Sequence, residues 1–168
     1  MTRTKLVLLF AGVVATGCSS SDSVWSSSVS KLVLAASEGF AGPSQPTVDC
    51  PHAGAEYTLV VGSRMLSAWR CTPGSQAPYP LMKESTSRAL SNAEFDALLP
   101  TLESLRVVNV SSCGADKPAL HVTLTSSSGT TAYGDSFYSC NEDEPRPTLD
   151  TDTLGQVAQS LAQLSFTN

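Results

Sequence analysis

The sequence predicts an α+β fold: an antiparallel sheet of two ββα-like units with two helices on one face, held by two disulfides. Three observations lead there. Two amphipathic helical stretches, near 91–105 and 150–164, each follow a pair of strand-like segments. Four cysteines, Cys50, Cys71, Cys113 and Cys140, stand at matching places around those segments, at offsets of 63 and 69 residues. One hairpin with one helix is too small to bury an adequate core, so two such units must share one.

Each element has its own local reason. Lys31–Ala36, "KLVLAA", is a short apolar run that suits a first strand, and Gly42, Pro43 and Pro46 break the chain after it. Tyr57–Val61 is rich in β-formers and Met65–Arg70 is its partner. Gly62-Ser63-Arg64 reads as the hairpin loop between them, with the glycine supplying the unusual dihedral. Thr72–Pro80 holds three prolines and reads as a loop. Ser91-Asn92-Ala93-Glu94 forms a capping box, followed by Phe95, Leu98, Leu99, Leu102 and Leu105 at helical spacing. Pro100 should kink or divide that helix. Arg106–Val110 reads as a strand leaving it.

The second half follows the same order. In Pro118–Thr125, Leu120, Val122 and Leu124 share one face, while His121, Thr123 and Thr125 share the other. Ser126–Gly129 is a turn, and the segment from Thr130 pairs back toward Cys140. Asn141–Pro147 is an acidic loop. Asp150 or Asp152 caps a last helix with Leu154, Val157, Ala158, Leu161 and Leu164 on its core face. Four cysteines allow three pairings; the repeat selects Cys50–Cys71 and Cys113–Cys140.

The first residues carry an address. Arg3 and Lys5 precede an uncharged run from Leu6 to Ala15, too short for a bilayer span of roughly 20 residues. Ala15, Thr16 and Gly17 lead into Cys18. This segment resembles the lipobox of bacterial lipoproteins, which implies that Cys18 is acylated and becomes the new N-terminus. Five cysteines are an odd number, and a lipidated Cys18 leaves an even set of four, as expected of an exported chain. Ser19 after the cysteine implies, by the same resemblance, passage to the outer membrane. The lipid bilayer is then the first partner, and the localisation is the bacterial cell envelope.

The implied divisions are a signal peptide at 1–17, a lipidated cysteine and Ser-rich tether at 18–47, and a disulfide-stapled domain at 48–168. Eight of the twelve residues in Ser19–Ser30 are serine, the composition of a flexible tether, with Trp25 standing out. Loss of Arg3 and Lys5 leaves eight basic against fifteen acidic residues, a net charge of −7. That charge argues against nucleic acid as a partner.

Catalytic and metal signatures are missing from the sequence. His52 lies in a turn and His121 on a polar strand face, with no metal-ligand spacing between them. No two cysteines form a CxxC pair, so no metal and no cofactor is expected. Gly134-Asp135-Ser136 resembles the nucleophile block of GDS-type esterases, but it lies late in the chain and no histidine follows it. The residues read as a non-enzymatic binding or interaction domain for an unknown envelope protein.

An alternative comes from a second resemblance. The stretches "YTLVVGS", "WRCTPGSQAPYP", "CGADKPALHVTLT" and "SFYSCNE" are similar to the subtilisin-inhibitor family of streptomycetes. That resemblance implies two disulfides, a five-stranded sheet with helices, and a reactive loop after the third cysteine. Carried over, the loop holds Gly114, Ala115 and Asp116, with Ala115 as the specificity residue of a proteinase inhibitor. The chain departs from the family in having no cysteine between Glu84 and Leu90, so Cys50 must serve instead.

Overall fold

The structure is a computed structural model that describes residues 23–37, 44–109, 118–137 and 146–166. Its elements are β1 (Val29–Ser37), β2 (Gly54–Val60), β3 (Met65–Pro73), β4 (Leu81–Ala89), α1 (Asn92–Glu103), β5 (Val107–Val108), β6 (Ala119–Ser126), β7 (Gly129–Asp135), β8 (Thr148–Leu149) and α2 (Thr151–Phe166). One eight-stranded sheet runs in the order β4-β3-β2-β1-β6-β7-β8-β5. The fold is α+β, as expected, but the sheet is mixed. β7 pairs with β8 in parallel, while all the other strand pairs are antiparallel. The parallel pair arises because the chain leaves β7 and returns as β8 over a connection of 136–147 instead of a tight turn.

The two hairpins do not lie side by side. β1 stands between them, pairing with β2 on one side and β6 on the other. Its alternation decides this: Leu32 and Leu34 are fully buried, opposite Leu59 and Tyr57 on β2 and Leu124 and Val122 on β6. A strand with two such residues loses most by sitting at an edge, where one flank of apolar neighbours is missing. β4 extends the first hairpin into a three-stranded meander, although "LMKESTSRA" has the charged, hydroxylated pattern of a solvated edge strand. The hairpin loop also differs in detail: the left-handed residue is Arg64 (φ 52°), not Gly62. Arg64 is held there by Leu90 N–H, which donates to its carbonyl at 2.9 Å, and by its side chain on Asn92.

Both helices share one core with the sheet. Leu98 and Leu102 of α1 and Leu154, Val157 and Leu161 of α2 join the inward residues of β1, β2, β3 and β6 in a single apolar cluster. The Ser91–Glu94 capping box is present. Asp150 caps α2, its Oδ1 accepting from Thr153 N–H at 2.9 Å and from the Thr153 hydroxyl at 2.8 Å. Pro100 does not divide α1, which runs unbroken from Asn92 to Glu103. The carbonyl that loses its partner belongs to Asp96, on the exposed side, where water can satisfy it.

The expected tether contains part of the fold. Trp25 is buried in the core, Val24 N–H donates to Leu105 O at 3.0 Å, and Ser23 forms a β-bridge with Arg106. The compact unit therefore takes in Ser23–Ser37, ahead of the expected start at Val48. The serines concealed this: Ser26–Ser28 form a turn, closed by Val29 N–H on Ser26 O at 3.0 Å, between the two apolar anchors Trp25 and Val29. Cys50 and Cys71 are bonded, with Cα atoms 5.8 Å apart. This is the first of the two expected disulfides; Cys113 and Cys140 lie outside the described residues.

Candidate functional site

Because the helices cover one face of the sheet, the side chains of opposite parity form a second face that no described element roofs except at one end. The strand registers arrange them in rows across five strands. One row is His121, Ala35, Glu56, Trp69 and Ser85, on β6, β1, β2, β3 and β4. The next is Thr123, Val33, Thr58, Ser67 and Ser87. Glu56 and Trp69 are direct cross-strand neighbours, within side-chain contact range.

The two rows differ in chemistry. The second is a run of hydroxyls and methyls, in which the Ser67 and Ser87 hydroxyls bond each other at 2.9 Å. The first gathers an imidazole, a carboxylate and an indole. The Lys83 ammonium lies over the Trp69 ring, 5.7 Å from its centroid, as a cation–π contact. Glu56, Thr58, Ser67, Trp69, Lys83 and Ser85 line a shallow depression of about 270 Å³ between the rows. At the end of this face Trp69 packs on the small cluster of Cys50, Ala53, Cys71 and Leu81. The disulfide therefore braces the floor under the indole. Such a surface offers a flat apolar ring, neutral hydroxyls that both donate and accept, and the charges of Glu56 and Lys83 beside the ring. It can dock a partner.

Further depressions lie on the helix side. A cleft of about 560 Å³ separates α1 from α2, with Arg88 and Glu94 at its wall. Arg88 is fully engaged: it donates to Leu164 O at 2.8 Å and pairs with Glu94. Glu94 is held down to about 2 by its hydrogen bond from Arg88 first, then by the Ser91 backbone and hydroxyl. That network ties β4 and the ends of both helices together, a structural assignment. Another groove, about 670 Å³, lies between the N-terminal half of α2 and the strands, where Ala36, Leu120, Gly155 and Gln156 meet.

The residues flagged by the sequence separate in space. Asp135 and Ser136, of the esterase-like triplet, are buried against the start of α2. Asp135 Oδ1 accepts from Phe137 N–H at 2.9 Å and from the Thr151 hydroxyl, and the Ser136 and Thr151 hydroxyls are 3.1 Å apart. They fix the end of β7 to α2. His52 is exposed in its turn, and His121 lies in the row described above. Among the described residues no three His, Cys, Asp or Glu side chains group to hold a metal ion, and no helix is long and apolar enough to cross a membrane. Cys18 and the loop residues Gly114, Ala115 and Asp116 lie outside the described residues. The open-face row itself was missed by the sequence reading. Its signal is the alternation of polar residues in strands whose register the sequence does not specify.

Comparison with protein-family models, curated proteins and solved structures finds no match to this chain.

Proposed function

We propose that this chain is a bacterial envelope lipoprotein, anchored through acylated Cys18, whose α+β domain is a non-enzymatic binding module. The observation that carries the binding part is the uncovered sheet face with Trp69, Glu56 and Lys83 set among hydroxyls. Trp69 covers the small core of Cys50, Cys71 and Leu81 and still leaves part of its ring open among polar groups, the arrangement that aromatic residues of partner surfaces use. The anchor part rests on the small residues before Cys18 and the basic, then apolar, segment before them. The net charge of −7 after cleavage suits a soluble domain above a membrane and disfavours nucleic acid.

Two measurements test the two parts separately. Cys18→Ser should abolish acylation and release the protein from membranes or leave its precursor uncut. A variant that stays membrane-bound and is processed as before overturns the anchor. Ser67→Arg places a charge and bulk in the centre of the open face. Envelope partners cross-linked by the wild-type chain should be lost from this variant while its thermal stability is kept. Unchanged capture overturns the assignment of the face.

A further inference from the structure

We infer that the sheet edge at β5, with the C-terminal end of α1, faces the bilayer surface, and that the β3–β4 side carrying Trp69 stands away from it. This rests on the lipoprotein reading, in which Cys18 holds the acyl chains. The geometry begins with Ser23, which is fixed in the fold. Its backbone bridges Arg106, the residue before β5, and its hydroxyl donates to Leu105 O at 3.3 Å. The next amide, Val24 N–H, donates to the same carbonyl at 3.0 Å.

Five peptide units separate Cys18 from Ser23. At no more than about 3.6 Å each, they let the anchor cysteine stand at most about 18 Å from Ser23. The polar layer of one leaflet takes roughly 5–8 Å of that reach. The remainder is about the diameter of a single helix. The domain therefore cannot stand off by its own width, and whichever surface surrounds Ser23 lies at the headgroups. Among the described residues of that surface, the polar Glu103 and Ser104 are exposed at the end of α1. They suit the headgroup layer and would be costly in hydrocarbon.

The opposite side follows from α1. The helix starts at Asn92, directly after β4, and Leu90 N–H bonds the β2–β3 hairpin at Arg64 O. It ends at Glu103, just before the Leu105 carbonyl that holds Ser23. A helix of twelve residues is about 18 Å long, so it spans from the β4 side to the anchored side. Trp69 lies on β3, next to β4. The two tryptophans of the chain thus mark opposite ends of the domain, Trp25 near the anchor and Trp69 far from it.

The test uses full-length acylated protein in vesicles of phosphatidylethanolamine and phosphatidylglycerol carrying a dansyl group on a fraction of the headgroups. Energy transfer from tryptophan to dansyl should be several-fold more efficient in Trp69→Phe, which leaves Trp25, than in Trp25→Phe, which leaves Trp69. Should Trp25→Phe fail to fold, wild type against Trp69→Phe suffices: removing the distant donor must raise the mean transfer efficiency. Equal transfer from both, or a fall on removing Trp69, overturns the orientation while leaving the anchor intact. Wild-type protein that does not bind the vesicles at all overturns the anchor, and the orientation with it.

Discussion

The two faces of the sheet are built by the same strands, one residue out of phase, and they have opposite characters. On the helix side Leu32, Leu34, Leu59, Leu66 and Val122 are 0% exposed. On the other side their immediate neighbours are Val33, Thr58, Ser67 and Thr123, all only partly buried. The first face is where the chain stores its stability, at roughly 25 cal/mol for each Å² of apolar surface removed from water. The second is flat, hydroxylated and cheap to alter, which frees it to evolve toward a partner. The disulfide breaks the division: Cys71 shares parity with Trp69, so Cys50, Cys71 and Leu81 make a small second core at one end of the open face.

The sharpest test of that contrast uses adjacent residues. Leu34→Ala should destabilise by about 2–5 kcal/mol, since it empties a fully buried site. Val33→Ala, one position earlier and facing the other way, should cost about 1 kcal/mol or less. Urea unfolding of the two variants decides it, and equal costs would mean that both faces are core. Next in size is the disulfide. Replacing Cys50 and Cys71 by alanine opens a loop of 21 residues and should lower stability by about 3 kcal/mol in the chain-entropy model. It should also loosen Trp69, so a red-shifted, more quenchable emission from that indole in Trp25→Phe is expected alongside the drop in midpoint.

How much of this was legible in the sequence depended on where each signal is encoded. The hairpin β2–β3, strand β6, both helices, the Ser91–Glu94 capping box and the Cys50–Cys71 bond are local or short-range patterns, and they stand where the sequence puts them. The central place of β1 was not legible, because a six-residue apolar run reads the same at an edge or in the middle. β4 was missed because its edge position leaves it polar, without the apolar alternation that reveals a half-buried strand. Trp25 was misplaced because eight serines in twelve residues outweigh one indole in any compositional reading. The open-face row needs registers across five strands. Those depend on long-range pairing, so no window of sequence holds it.

The helix-covered face also has a polar seam, and acid should open it. Glu94 has its carboxyl held down to about 2 by Arg88 and by Ser91. A folded-state value below the ordinary carboxylate range means that its contribution is fully present above that range. It is lost as pH falls through the ordinary range toward about 2. Glu94→Gln should therefore be less stable than wild type at neutral pH, with the difference shrinking as pH is lowered to about 2. Denaturant midpoints measured at several pH values check this. A gap that stays constant with pH would show that the loss does not come from the charge of the Glu94 carboxylate.

The smallest effect is expected from the open face itself, at Ser67→Ala. Among the described residues the Ser67 hydroxyl bonds the Ser87 hydroxyl, at 2.9 Å, and Ser87 makes a weaker approach to the Met65 sulfur at 3.6 Å. Water reaches this pair, so deleting one partner leaves the other solvated and not stranded, and the net loss should stay within about 0.5 kcal/mol. Alanine also fits the strand, with no cavity formed beneath it, because Leu66 and Ala68 face the opposite side. Ser67→Ala should unfold at the wild-type urea midpoint within error, with an unchanged slope. A cost above about 2 kcal/mol, the range of a buried unsatisfied group, would mean that Ser67 is sealed from water and that something covers this face. The comparison of a storing face with a free one would then fail at its centre, and with it the reason to look for a partner there.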